Sequence, residues 1–202
     1  MIDLATAVGR NVPRETIEKL ERFAALIREE NERQNLVSRA TLDNLWERHI
    51  VDSAQLVRYG RGSWLDIGSG AGLPGLVIAC LVDGPVALVE PRRLRAEFLA
   101  RCVDSLGFKA RVSVQQAKVE RISGRFDSIT ARAVASADHI LSLSAHLAHI
   151  GTKWVLPKGK SAQSELAEVH RNWQCEARVE RSVTDPESAI LLLDKVRAKG
   201  KR

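Results

Sequence analysis

The chain has 202 residues, 45% of them hydrophobic and 28% charged, with 31 basic residues against 25 acidic ones and a net charge of +6. That size suits one α/β domain with an extension, or two very small domains, and it buries a core without cross-links. The apolar content and near balance of charge exclude disorder as the main state, and no apolar run approaches the roughly 18–20 residues of a membrane span.

Residues Met1 to Arg10 lack the apolar segment of a secretory signal. Cys80, Cys102 and Cys175 lie far apart with no C-x-x-C, which argues for buried thiols in a reducing, cytoplasmic setting. Arginine outnumbers lysine by 22 to 9. That bias suits phosphate contacts, although ordinary surface solubility also accounts for it. Nine aromatic residues with no interleaved platform argue against a base-stacking RNA module.

In chain order, Ile17, Leu20, Ala24 and Ile27 recur at helical spacing and predict a helix over 13–33, with Asn11 as a cap and Pro13 in the first turn. A second helix is expected over 41–59, broken by Gly60-Arg61-Gly62. The pattern changes at Ser63. Residues 64–67 read as a buried parallel strand and 73–81 as a helix. A strand over 86–89 ends at Glu90, and an amphipathic helix over 92–106 stops at Gly107. Strands are expected over 110–114, 126–131 and 152–156, with helices over 136–149 and 161–172. Segments 176–183 and 189–196 close the sheet as an antiparallel hairpin. The basic tail from Lys195 to Arg202 is either a disordered end or an RNA contact. Alternating strands and helices predict a doubly wound, Rossmann-like α/β fold: a mostly parallel seven-stranded sheet with helices on both faces. Residues 1–60 form a helical extension packed on it, and residues 61–202 form the binding unit. No long apolar patch demands a partner, so a monomer is expected.

The strongest feature is Asp66-Ile67-Gly68-Ser69-Gly70-Ala71-Gly72-Leu73-Pro74-Gly75, between a strand and a helix. Glycines let the backbone turn sharply and let a ligand approach with no Cβ in the way. A dinucleotide fingerprint reads G-x-G-x-x-G, whereas here Leu73 fills the third slot. The G-x-G-x-G spacing resembles the cofactor loop of class I S-adenosylmethionine methyltransferases. Glu90, 22 residues after Gly68, can accept hydrogen bonds from ribose hydroxyls, but the same acid serves NAD.

Longer strings narrow the resemblance. They are Asn35-Leu36-Val37-Ser38, Arg48-His49-Ile50-Val51-Asp52-Ser53, the loop extended to Gly72-Leu73-Pro74-Gly75, Arg132-Ala133, and Lys158-Gly159. Together they resemble the small-subunit ribosomal RNA methyltransferase G family, once called glucose-inhibited division protein B. The resemblance implies S-adenosylmethionine-dependent methylation of guanine N7 in 16S rRNA, on naked RNA or a small-subunit particle. It implies that Gly68, Leu73, Val119, Glu120 and Arg132 contact the cofactor, beside Gly70 of the loop and Glu90 of the second strand, and that Lys158 lies near the RNA. Three positions depart from the family pattern: Glu30 where tryptophan is frequent, Val134 where an aromatic follows Arg-Ala, and Ser188-Ala189 where a basic residue is usual.

Guanine N7 carries a lone pair in the neutral base, so methylation there needs no general base, and none stands out. Catalysis is expected from alignment. Arg132 and Lys158 are the residues expected to position the reactants, Arg132 on the cofactor carboxylate or a phosphate and Lys158 on the phosphate of the target nucleotide. Arg48 and His49 are candidate RNA contacts, with Asp52 able to hold either one. His146 and His149 could ligate a metal at helical spacing, but nothing completes a site and no metal is expected. An RNA or small-molecule methyltransferase, an NAD-dependent oxidoreductase and a non-enzymatic RNA-binding protein remain as alternatives.

Overall fold

A computed structural model describes residues 3–200. Seven strands form one sheet: β1 (Trp64–Ile67), β2 (Val86–Val89), β3 (Val112–Gln115), β4 (Phe126–Thr130), β5 (Ala148–Lys158), β6 (Trp173–Arg181) and β7 (Ala189–Ala198). Their order is β3-β2-β1-β4-β5-β7-β6. The pairings among β1 to β5 are parallel, and β7 runs antiparallel to both β5 and β6. Every side chain of β1 and β2 is buried, as a parallel strand covered on both faces requires.

The helices are α1 (Leu4–Val8), α2 (Arg14–Asn31), α3 (Arg39–Leu42), α4 (Asp52–Ala54), α5 (Gly75–Leu81), α6 (Arg93–Ser105), α7 (Ala137–Ser144) and α8 (Ala162–Asn172). Alternation along the strands divides the apolar side chains between two clusters. Trp64 and Leu88 join Val8, Phe23, Leu76 and Phe98 from α1, α2, α5 and α6. Leu65, Ile129 and Trp154 join Ile140 and Val169 from α7 and α8 on the other face. Glu30, at the position where the family favours tryptophan, is 8% exposed and ties α2 to α6 by accepting from Arg101 at 2.7 Å.

Several boundaries differ from the sequence reading. Pro13, not Asn11, sits at the cap of α2, and no side chain caps that helix. The single helix expected over 41–59 is broken. After α3 come a two-residue turn, a π-helical turn over Trp46–Val51, α4, and a 3-10 turn over Gln55–Arg58. Leu73 does not begin a helix, because the amides of Gly72 and Leu73 close a turn on the Ser69 carbonyl and α5 starts at Gly75. The helix expected to reach His149 ends at Ser144, whose hydroxyl donates back to Ile140 and accepts from the Trp154 indole at 3.2 Å. His146 therefore lies in a 3-10 turn and His149 in β5, not on one helix face. The third strand starts two residues late, since Arg111 and Val112 still bond back to Phe108. Of the basic tail, Lys195 to Ala198 is strand rather than a disordered end, paired with β6 through Trp173 and Ala198. Lys201 and Arg202 lie outside the described residues.

Candidate active site

The carboxyl ends of β1, β2 and β4 meet around the glycine loop. The amides of Gly68 and Ser69 both donate to the Val89 carbonyl, which folds the loop back over β2. Gly68 has φ +68°, and a Cβ there would meet Val134 Cγ2 at 2.6 Å. Only glycine fits both the left-handed backbone and the narrow gap.

Two acids frame this turn. Asp66 is buried, and its Oδ2 accepts from the Gly75 amide at 3.0 Å, so the first amide of α5 is already taken. Its Oδ1 has no hydrogen-bond partner among the described residues. Burial pushes the Asp66 carboxyl up to about 7, against the lowering by the Gly75 amide, Ser69 and Arg132. Glu90 is 4% exposed, with Oε2 accepting from the Gly70 amide and Oε1 from the Arg92 amide, both at 2.9 Å. Each oxygen keeps a second lone pair, so the carboxylate is oriented without being saturated.

A cavity of about 500 Å³ opens over this frame. Gly68, Gly70, Leu73, Glu90, Val119, Glu120 and Arg132 all line it. Val119 is buried and Glu120 is exposed at the rim. Leu36 and Val37 close another side, held by two bonds from their amides to Asn31 Oδ1 at 2.8 and 2.9 Å. The volume suits a cofactor-sized ligand. The bare backbone at Gly68 and the oriented Glu90 carboxylate, both on the cavity wall, suit an adenosyl group, so the residues present fit S-adenosylmethionine.

A second cavity of about 490 Å³ adjoins the first, and Arg132, Ala133 and Val134 line both. Ala133 takes φ +57°, and Val134 stands 44% exposed on the ridge between them. The guanidinium of Arg132 lies 3.5 Å from Asp52 Oδ2 and 3.2 Å from His49 Nδ1. Burial, together with Arg132 and Arg48, lowers His49 to about 4. Neutral His49 accepts from Arg132 at Nδ1, which leaves Nε2–H to donate to Thr41 Oγ1 at 3.0 Å. Asp52 Oδ1 also accepts from Thr184 at 2.6 Å and Gln55 at 2.9 Å, joining Arg132 to the turn between β6 and β7.

Lys158 lies inside the second cavity with its side chain 9% exposed. Its ammonium donates to the Ala135 carbonyl at 2.7 Å and to Glu165 Oε2 at 2.8 Å. Burial raises Glu165, but bonds from Lys158, Ser161 and the Ala137 amide outweigh it and hold the carboxyl low. Arg48 does not join this group. It is half exposed and faces Asp185 at 3.7 Å.

Sequence reasoning did not single out Asn31, Gln55 or Glu165. Each acts through partners brought by the fold, and none belongs to a local motif. Burial pushes Cys80 and Cys102 up to about 12, which keeps both thiols protonated near neutral pH. Among the described residues no cluster of histidine, cysteine and carboxylate side chains could hold a metal, and no helix is long and apolar enough to cross a membrane.

The sheet order and the crevice at the carboxyl strand ends define a class I methyltransferase fold. A mutant of MtNAS in complex with S-adenosylmethionine superposes with TM-score 0.56 at 17% identity, covering 90% of this chain and 72% of that one. A fibrillarin/Nop5p complex gives TM-score 0.57 at 13% identity, covering 74% and 82%. Sequence goes further. A family model described as "GidB: rRNA small subunit methyltransferase G" matches residues 16–190. Relatives named ribosomal RNA small subunit methyltransferase G are 44% identical in Zymomonas mobilis, over 93% of this chain and 90% of the relative, and 46% identical in Rhizorhabdus wittichii, over 94% and 90%. The chain belongs to the rRNA small subunit methyltransferase G family.

Proposed function

We propose that the protein transfers a methyl group from S-adenosylmethionine to N7 of a guanine in 16S rRNA. The observation that carries this reading is the pair of cavities meeting at Arg132, Ala133 and Val134: one fits the cofactor, and the other lies where a nucleobase would face it. When bound, the cofactor supplies a methyl on cationic sulfur, which departs as a neutral thioether once the N7 lone pair takes the methyl carbon.

The chain's own groups bind and align. Glu90 holds the ribose hydroxyls through its remaining lone pairs, and Val119 packs on the adenine. Asp66, buried beneath the loop, holds the Gly75 amide and so fixes the turn against which the cofactor lies. Arg132, fixed by Asp52 and His49, pairs with the cofactor carboxylate. No residue needs to remove a proton, because N7 carries none, so proximity and orientation supply most of the acceleration. Cationic side chains outside the cavities, Arg48 among them, meet RNA phosphates. The protein works where ribosomal RNA is, in the cytoplasm, and the particle it acts on is naked 16S rRNA or a small-subunit precursor.

Mass mapping of 16S rRNA from cells with and without the gene tests this. One 7-methylguanosine should disappear on deletion, return with the parent gene and stay absent with Arg132→Ala. An unchanged map overturns the substrate. Tight S-adenosylmethionine binding without NAD binding separates the reading from an oxidoreductase.

A further inference from the structure

We infer that Lys158 reads the O6 atom of the target guanine and is a specificity-determining residue; this rests on the functional reading above. The argument starts from the ammonium itself. It has three N–H donors. One goes to the Ala135 carbonyl and one to Glu165, and the third has no acceptor among the described residues. With the Ala135 carbonyl and the Glu165 carboxylate engaged, the ammonium still has a donor to offer to the second cavity, whose wall Lys158 forms.

A side chain only 9% exposed and the ion pair with Glu165 make Lys158 a poor phosphate clamp, since a clamp needs reach and uncompensated charge. They suit a base edge. Guanine presents N7 and O6 side by side as acceptors, whereas adenine replaces O6 with an amino donor that would oppose an N–H. A donor bound at O6 therefore selects guanine and swings the adjoining N7 toward the ridge of Arg132 and Val134, where the two cavities meet. Glu165 has a second consequence. Methylated guanine is cationic, and an isolated ammonium nearby would oppose the reaction. Pairing with Glu165 leaves a directed donor with little net field.

The test uses short RNA substrates in which the target guanine is replaced by 2-aminopurine, which keeps N7 but lacks O6, or by hypoxanthine, which keeps both. The wild-type protein should lose about 10- to 100-fold in kcat/KM on 2-aminopurine, the scale of one hydrogen bond to a charged group, and should lose far less on hypoxanthine. Lys158→Met should lower activity on guanine and hypoxanthine by a similar factor and leave 2-aminopurine nearly unchanged, bringing the ratio toward one. Cofactor affinity in Lys158→Met should stay within about threefold of the parent, which reports an intact fold. Wild-type activity on guanine and 2-aminopurine within threefold of each other overturns the O6 contact whether or not the variant folds. An unchanged guanine-to-2-aminopurine ratio in Lys158→Met also overturns it. Absence of wild-type methylation on guanine itself would instead count against the functional reading.

Discussion

At Gly68 the backbone angle and the clearance act together. A methyl group there strains a left-handed residue by about 1 kcal/mol and strikes Val134 Cγ2 at 2.6 Å. Gly68→Ala should therefore weaken S-adenosylmethionine binding by about tenfold or more while the protein stays folded. Isothermal titration with a parallel thermal melt measures both, and an unaltered affinity would show that the ligand does not lie against this turn. The glycine spacing made this position legible in the sequence, because a backbone requirement leaves a direct trace in residue type. Arg132 and Lys158 were legible as residues at the carboxyl ends of strands, Lys158 being the last residue of β5. What they touch was not. Asp52 and Glu165 lie 80 and 7 residues away, and no local pattern encodes pairing across that separation. Val134 stands on the ridge between the cavities, so the family departure at that position falls where the two cavities meet.

Among the elements, α2 does more than cover the sheet. Its last residue, Asn31, is 8% exposed and accepts from the amides of both Leu36 and Val37, which form a wall of the first cavity. Asn31→Ala strands two amide donors and should cost about 1–3 kcal/mol in urea unfolding, with a several-fold loss of cofactor affinity. Arg14→Ala at the exposed start of the same helix is the control, expected within about 0.5 kcal/mol of the parent. Equal effects would detach the helix end from the site. The strands and the covering of both sheet faces followed from apolar runs and glycines, which are local signals, whereas the order of the strands is set only in the fold. Element ends did not, because they depend on bonds made in the folded state. The Ser144 hydroxyl meeting Trp154 ends α7, and the π-helical turn carries His49 to a position between Thr41 and Arg132.

For the molecule as a whole, two groups oppose each other across acid pH. The native carboxyl of Asp66 titrates near 7 instead of 3.8, so between about pH 4 and 7 the folded state holds a proton that the unfolded chain releases. Stability from this group falls as pH rises through that window. Native His49 titrates near 4 instead of 6.5, so over about pH 4–6.5 the unfolded chain binds the extra proton and stability rises with pH. The cofactor-free parent should be comparatively flat there. Asp66→Asn should expose the rise due to His49. His49→Gln should expose the fall due to Asp66, with a slope approaching about 1.4 kcal/mol per pH unit. Chemical denaturation across the range measures the three profiles, and superimposable curves would contradict these assignments.

The central claim joins the two cavities in one reaction, and direct methyl transfer tests it most plainly. Purified protein, methyl-labelled S-adenosylmethionine and unmodified 16S rRNA or small-subunit particles are incubated, and the RNA is digested to nucleosides for mass analysis. The account requires label in 7-methylguanosine, at no more than one site per RNA, and its loss with Arg132→Ala. Label in another nucleoside, or none with any of the RNA substrates while the cofactor binds, would contradict it.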